Sequence, residues 1–247
     1  MQSAFHMKTT PRLSLKKSPK NQSIIPYNPS LQNLIDQKNA WANPIAATHS
    51  HKRWHQRGYL PHRDEPGLTQ LVTIRLYDSM PHSRRGEWEA FLKLENARER
   101  RTKLESYLDR GAGECWLKQP EIAQCAENAL RHFAGERYDL RAWVVMPNHL
   151  HILVKIQETP LDKLILSWKR FIARESNKIL GREGAFWQRE YWDTYMRTDE
   201  QTLKAVKYIE NNPVKAKLVR KPDDWLWSSA RFRDRYGKLI PQESTVL

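Results

Sequence analysis

The feature that most constrains the fold is a pair of apolar runs separated by a very short link. Tyr138–Met146 (YDLRAWVVM) and Leu150–Ile156 (LHILVKI) are rich in β-branched and aliphatic residues, which is typical of strands. The short link Pro147-Asn148 joins them. Strands so closely connected pair antiparallel, because a parallel pair needs a long crossover connection. The sequence therefore predicts an antiparallel sheet.

Other periodic segments add strands and helices to this pair. Alternating apolar and polar residues over Leu68–Leu76 predict a strand, and Tyr191–Arg197 predicts a further short one. The helical spacing of apolar residues predicts four helices: 87–109, 120–133, 160–180 and 200–211, the last ended by Pro213. The resulting order, β–α–α–β–β–α–β–α, predicts an α+β fold in which helices cover an antiparallel sheet.

The front of the chain differs in composition from the rest. Residues 1–63 contain ten Lys or Arg and a single acid, Asp36, among scattered Pro, Ser and Asn without a sustained period. We interpret 1–57 as a basic, poorly ordered arm with a short helix near 30–42, serving either as a nucleic-acid contact or as a solvated tail. The main domain is then 58–235, with the helix over 87–109 as an insertion, and 236–247 is a C-terminal tail.

The charge balance favours nucleic acid as the partner. Lys and Arg number 42 against 28 Asp and Glu, a formal net charge of +14, and such a surface attracts phosphate backbones. No apolar run approaches the roughly 18 residues of a membrane span. Cys115 and Cys125 form no CxxC pair, which argues against a thiolate zinc site. With no apolar segment typical of a secretory signal, we expect a cytoplasmic, nucleoid-associated protein.

The sequence PNHLHILV contains two histidines at strand spacing. Because side chains at i and i+2 project from one face of a strand, His149 and His151 are predicted to point together while Leu150 packs on the other side. Two imidazoles on one face make up most of a site for a divalent metal. A pair of surface histidines on a polar strand face is the plainer alternative.

A second motif, KYIENNPVKAKLV, carries a candidate nucleophile. Tyr208 and Asn212 are four residues apart in a predicted helix and so share a face. A phenol beside a metal can attack phosphorus, and Asn212 offers a neutral oxygen as a third ligand. The alternative is a packed tyrosine followed by an asparagine at a helix end. Tyr191 and Tyr195, placed on one face of the last strand, are competing nucleophiles.

Basic side chains outside these motifs are candidates for DNA contacts. The helix over 160–180 interleaves cations with apolar residues, and the segment 222–235 contains further arginines. An ordinary amphipathic helix explains the former pattern equally well. The DNA-binding candidates are Lys169, Arg170, Arg174, Arg197, Arg231 and Arg233.

Three motifs in this order resemble one known family. WVVMPNHLHILV, FWQREYWDTYMR and YIENNPVKAKLV are similar to the corresponding segments of the REP-associated tyrosine transposases, relatives of the single-tyrosine HUH transposases of insertion sequences. The resemblance covers roughly residues 57–233. It implies a ferredoxin-like antiparallel sheet with helices packed mainly on one face.

The resemblance also implies a chemistry. By motif position, His149 and His151 match the HUH pair, Tyr208 matches the nucleophile, and Asn212 lies where a third polar ligand, often Gln, is found. The implied reaction nicks and rejoins single-stranded DNA beside a hairpin or REP-like repeat through a covalent 5′-phosphotyrosine, with Mg²⁺ or Mn²⁺ as cofactor. We expect a monomer or homodimer. A non-catalytic hairpin DNA- or RNA-binding regulator and a metal-dependent nuclease are the alternatives.

Overall fold

The computed structural model describes residues 51–56, 61–80, 85–94 and 96–240. Most of the predicted arm, with the helix expected near 30–42, lies outside these residues, as does the end of the tail from 241 onward. The last residues assigned to the arm contain strand β1, Arg53–Gln56, which pairs antiparallel with β2, Pro61–Asp64.

A four-stranded antiparallel sheet forms the centre of the protein. Its strands are β3 (Thr69–Arg75), β4 (Tyr138–Met146), β5 (His149–Ile156) and β6 (Trp192–Met196), arranged in the order β4-β5-β3-β6. The predicted strand pair is a tight hairpin in which Met146 is paired with His149. Consecutive strands are separated by helices except at this hairpin. These connections and the strand order together are those of a ferredoxin-like sheet.

The helices fall close to their predicted positions, with one exception. The predicted single helix over 87–109 is two helices, and Asn96 explains the break because its side-chain oxygen accepts the backbone N–H of Glu99 at the start of the second one. The helices are α1 (Arg85–Leu92), α2 (Ala97–Leu108), α3 (Pro120–Arg131), α4 (Leu161–Ile179), α5 (Asp199–Glu210) and α6 (Asn212–Lys215).

The sheet carries apolar layers on both faces. α3 and α4 cover one face and form the larger core with residues such as Val72, Trp143 and Ile152. α5 covers the other face, where Ala205 and Ile209 pack on a smaller apolar cluster from β3, β4 and β5. The predicted α+β class with helices mainly on one face is confirmed. No helix within the described residues is both long and apolar enough to cross a membrane.

The side chains of β5 alternate between the two faces of the sheet. Leu150 and Ile152 enter the larger core, whereas Leu153 joins the cluster under α5. His149 and His151 share the parity of Leu153 and therefore lie on the α5 face. The β3–β5 register places Arg75 and Thr73 directly opposite these two histidines.

Candidate active site

Two buried histidines form the centre of the site. His149 and His151 are each 1% exposed, and their Nε2 atoms are 3.2 Å apart. The prediction that the two side chains point together is confirmed by this geometry. The alternative of exposed surface histidines does not hold, because both rings lie beneath α5.

The outer nitrogen of each imidazole is held by a neighbouring side chain. Asn148 donates through Nδ2 to the carbonyls of Leu108 and Ala112, so its Oδ1 faces His149 Nδ1 at 2.7 Å. An amide oxygen only accepts, so His149 Nδ1 carries the proton and Nε2 carries the lone pair. Thr73 Oγ1 lies 2.9 Å from His151 Nδ1. Such contacts orient histidines that bind metals.

Burial also sets the charge of His149. Removal from water, with a smaller effect from the cationic Lys215, lowers the pKa of His149 to about 3. The ring is therefore neutral at physiological pH. A neutral imidazole with its lone pair on Nε2 is the form that binds metal ions.

Tyr208 reaches this pair from α5. Its hydroxyl lies 3.3 Å from His151 Nε2, and the two rings meet edge to face at 5.4 Å between centroids. The helix is fixed at its start, where Thr198 accepts the N–H of Gln201, and along its length by buried Ile209. The phenol oxygen and two imidazole nitrogens thus meet at one point under α5.

Contacts at the end of α5 tie it to the C-terminal segment. Glu210 Oε1 accepts hydrogen bonds from Ser229 Oγ and from Arg233 Nε, both at 2.6 Å. Trp225 Nε1 donates to the carbonyl of Val145 on β4. The helix that carries Tyr208 is therefore linked to the sheet both by its own packing and through the segment that follows it.

Asn212 is buried with both amide atoms unsatisfied. It is 1% exposed, and neither Oδ1 nor Nδ2 has a hydrogen-bond partner within the described residues. α5 ends at Glu210, one residue before its predicted end ahead of Pro213. Asn212 begins α6, so Tyr208 and Asn212 do not share one helix as predicted. An unsatisfied buried amide is destabilising by about 1–3 kcal/mol, which suggests a ligand as its missing partner.

The histidine pair has the spacing that a divalent cation needs. Metal–nitrogen bonds of about 2.1 Å readily span the 3.2 Å between the two Nε2 atoms. No cluster of three His, Cys, Asp or Glu side chains suited to a metal occurs in the described part of the chain. The two Nε2 lone pairs have the chemistry of metal ligands, and the unsatisfied amide of Asn212, the predicted third ligand, offers an oxygen donor.

The competing tyrosines have other partners. Tyr191 is 4% exposed and stacks on His62 at 4.4 Å in the larger core. Tyr195 pairs with Gln70 on the sheet edge, and its hydroxyl accepts from Arg197 at 2.8 Å. Tyr208 is the candidate whose hydroxyl lies within hydrogen-bonding distance of the histidine pair, 3.3 Å from His151 Nε2.

The structure does not bring the predicted DNA-binding cations together. Lys169, Arg170 and Arg174 belong to α4, on the face opposite the histidines. Several of the six are engaged within the protein: Lys169 with the carbonyls of Gln188 and Arg189, Arg174 with Glu175, Arg231 with Glu127, and Arg233 with Glu210 and the carbonyl of Arg141. Arg197 alone of the six lines the cleft that also contains Tyr208.

Sequence reasoning missed three residues around the histidines. Thr73 and the buried Arg75 come from β3 and are recognisable only from the strand register. Asn148 is adjacent to His149 in the PNH sequence, so a buried hairpin asparagine could have been noted as an orienting group. All three lie on or beside the α5 face of the sheet.

Comparison with known proteins gives one family match. Residues 116–212 match the family described as "Transposase IS200 like", a segment that contains His149, His151, Tyr208 and Asn212.

Individual relatives agree with this match. A REP-associated tyrosine transposase of Escherichia coli K12 is 29% identical over 92 residues, 37% of this chain and 54% of that protein. A relative from Haemophilus influenzae is 27% identical over 117 residues, 43% of this chain and 66% of its own length. The chain therefore spans somewhat more than half of these relatives. A solved REP-associated tyrosine transposase bound to a REP hairpin aligns with 76% of this chain and 87% of its own, at 20% identity and a TM-score of 0.43.

Proposed function

We propose that this chain is a transposase that nicks and rejoins single-stranded DNA at hairpin or REP-like repeat sequences. The resemblance to the REP-associated tyrosine transposases, predicted from its motifs and confirmed by these matches, supports the proposal. The observation that carries the proposal is the 3.3 Å separation of the Tyr208 hydroxyl from His151 Nε2. A tyrosine hydroxyl beside two inward-facing imidazoles is an arrangement suited to phosphoryl transfer.

The reaction is an exchange of phosphodiester bonds. The Tyr208 oxygen attacks phosphorus and forms a new P–O bond, while the bond to the 3′ oxygen breaks and a 5′-phosphotyrosine results. The phenol gives up one proton and the departing 3′ oxygen takes one up, so the step balances. Attack by another 3′ hydroxyl reverses the exchange and joins a strand. Because no bond energy is lost to hydrolysis, rejoining needs no external energy source.

The neighbouring residues have separate roles in this proposal. His149, His151 and Asn212 hold a divalent cation, Mg²⁺ or Mn²⁺, which when bound polarises the phosphate and stabilises its developing charge. Asn148 and Thr73 fix the orientation of the two imidazoles through their outer nitrogens. The packing of α5 aligns the phenol oxygen with that centre, and alignment is the main requirement of phosphoryl transfer.

The partner follows from charge and from the relatives. The net charge of +14 favours a polyanion, and one solved relative is bound to a REP hairpin. Tyr208 and the histidine pair come from one chain, which supports cleavage by a monomer or by each subunit of a homodimer. We place this activity in the cytoplasm, on chromosomal DNA.

A labelled hairpin DNA tests the proposal. Wild-type protein incubated with the DNA and Mg²⁺ or Mn²⁺ is expected to yield a covalent adduct on a denaturing gel. The adduct disappears in Tyr208→Phe and persists in the control Tyr236→Phe, since Tyr236 is 78% exposed.

The same gel separates the alternatives. Cleavage that persists without an adduct in Tyr208→Phe would point to a metal-dependent nuclease. Binding without cleavage, across substrates and metals, would contradict the enzymatic proposal and leave a hairpin-binding regulator.

A further inference from the structure

A cleft of about 530 Å³ opens directly beside Tyr208. It lies between the first two turns of α5 and the strand β6, on the side of Tyr208 toward the sheet edge. In the described residues β6 pairs with β3 alone, so its outer edge does not close the cleft. The cleft therefore continues from the nucleophile to open solvent.

The floor of the cleft is apolar. Leu71 of β3 and Ala205 of α5 are 3% and 6% exposed, and Met196 of β6 packs against the same cluster. These three side chains form one surface at the base of the cleft. A planar aromatic ring placed there removes apolar area from water on both partners, and the thioether of Met196 favours contact with such a ring.

The rim of the cleft is polar and cationic. Gln201 Oε1 accepts the backbone N–H of Arg197 at 2.8 Å, so the amide NH₂ of Gln201 is directed away from that contact. Arg197 is exposed, donates to the Tyr195 hydroxyl, and has no carboxylate partner within the described residues. The hydroxyl of exposed Thr194 lies at the same rim.

We propose that this cleft binds the nucleoside next to the phosphodiester attacked by Tyr208. The base lies on Leu71, Met196 and Ala205, the amide of Gln201 and the hydroxyl of Thr194 contact its polar edge, and Arg197 binds the following phosphate. The volume is within the range of about 300–1,000 Å³ usual for small-molecule sites. The position of the nucleoside relative to the scissile bond rests on the proposed function.

Photocrosslinking tests the cleft without any need for cleavage. Full-length Tyr208→Phe protein is irradiated with single-stranded oligo(dT) containing 4-thiothymidine, and the crosslinked peptides are identified by mass spectrometry. Trypsin cleaves after Arg189, Arg197 and Lys204, so the β6 side and the α5 side of the cleft fall in peptides 190–197 and 198–204. Crosslinks in these two peptides are expected.

A cleft-filling variant gives the matched affinity measurement. Thr194→Phe puts an aromatic ring at the exposed rim, and Leu203→Phe adds a ring to α5 at a position that is 62% exposed and outside the cleft. In the Tyr208→Phe background, Thr194→Phe is expected to weaken oligo(dT) binding about tenfold, the loss of one base contact, whereas Leu203→Phe is not. Circular dichroism of both variants checks the fold.

Equal affinity of the two variants, or crosslinks confined to peptides that contain no lining residue of the cleft, would overturn the inference. Absence of a covalent adduct in the wild-type protein would instead remove the proposed nicking reaction, because the crosslink map and the affinities do not depend on it.

Discussion

At the scale of single residues, the site depends on side chains that hold the histidines as much as on the histidines. Asn148 joins His149 to carbonyls at the end of α2 and just beyond it, and Thr73 joins His151 to the neighbouring strand. Asn212 is the reverse case, a buried amide with no partner among the described residues. Substitution of Asn148 or of Asn212 is therefore expected to change metal binding measurably.

Asn148→Ala is expected to weaken binding of Mn²⁺ by about 10- to 100-fold, the usual effect of losing an orienting partner of a ligand. Without Asn148, the N–H of His149 Nδ1 loses its acceptor, so the tautomer of the ring is no longer fixed. Titration calorimetry on Tyr208→Phe protein measures the affinity, and Asn211→Ala, at an exposed neighbouring position, is the control. Unchanged Mn²⁺ affinity would show that Asn148 does not orient the ligand.

Asn212→Leu distinguishes a ligand from a packing residue. Without metal, the apolar replacement is expected to raise the free energy of unfolding by about 1–3 kcal/mol, because it removes an unsatisfied buried amide. With Mn²⁺ in excess, the wild-type protein gains stability and the variant gains less. Urea denaturation with and without Mn²⁺ measures both effects. Equal stabilisation of the two proteins by Mn²⁺ would remove Asn212 from the ligand set.

At the scale of elements, the sequence predicted contacts between neighbouring residues but not contacts between elements far apart in the chain. The β4–β5 hairpin and the common face of His149 and His151 follow from neighbouring residues, and both are confirmed. The opposition of Thr73 to His151 depends on β3, which is 78 residues away in sequence. The position of α5 on the face opposite α3 and α4 likewise depends on packing that no periodicity encodes.

Element packing also explains the one broken helix and the scattered positions of the predicted DNA-binding cations. The apolar spacing over 87–109 predicted one helix, but the cap formed by Asn96 starts a new helix there. The basic residues of α4 were predicted as DNA contacts from their interleaving with apolar residues along the helix, a pattern that an ordinary amphipathic helix explains equally well. The structure shows that α4 packs on the face of the sheet away from the histidines. The face on which a helix packs therefore determines how far its basic side chains lie from the site.

The packing of α3 on β4 includes a buried carboxylate with a pH-dependent effect on stability. Glu127 is fully buried, accepts from Trp143 Nε1 and from Arg231, and burial raises its pKa above the ordinary 4.5. Because the folded pKa is the higher one, this contribution to stability is fully present below pH 4.5 and is lost as pH rises through the folded pKa.

Glu127→Gln removes that titration. The difference in free energy of unfolding, wild type minus Glu127→Gln, is therefore expected to fall as the pH is raised from about 4 to 7. Urea denaturation over this range measures it, with Glu121→Gln, at an exposed position of the same helix, as control. A difference that rises with pH would mean that Arg231 lowers the pKa of Glu127 more than burial raises it.

At the scale of the whole molecule, charge is distributed unevenly along the chain. Residues 1–50, outside the described part, contain six Lys or Arg and one acid. The described residues contain many ion pairs, such as Lys215 with Asp109 and Lys52 with Asp162, which reduce the charge available to a polyanion. The front segment is therefore expected to supply a large share of the non-specific attraction to DNA.

Removal of residues 1–50 is expected to reduce the salt dependence of binding. Each phosphate contact on a single strand contributes about 0.7 to the slope of log K against log salt concentration, so the loss of three or more contacts lowers the slope by about 2. Fluorescence anisotropy with oligo(dT) at several salt concentrations gives the slope. An unchanged slope would assign the segment no contact with DNA.

The contacts of Glu210 with Ser229 and Arg233 have a consequence for the fate of a DNA end. In the proposed reaction, a 5′ end bonded to Tyr208 would be attached to a helix anchored at its last residue, so that end would stay in place and would not diffuse away. Exchange of strands then requires the incoming 3′ end to travel to the stored one. In the proposed exchange, the protein holds one DNA end in a fixed position, and the other DNA strand moves to it.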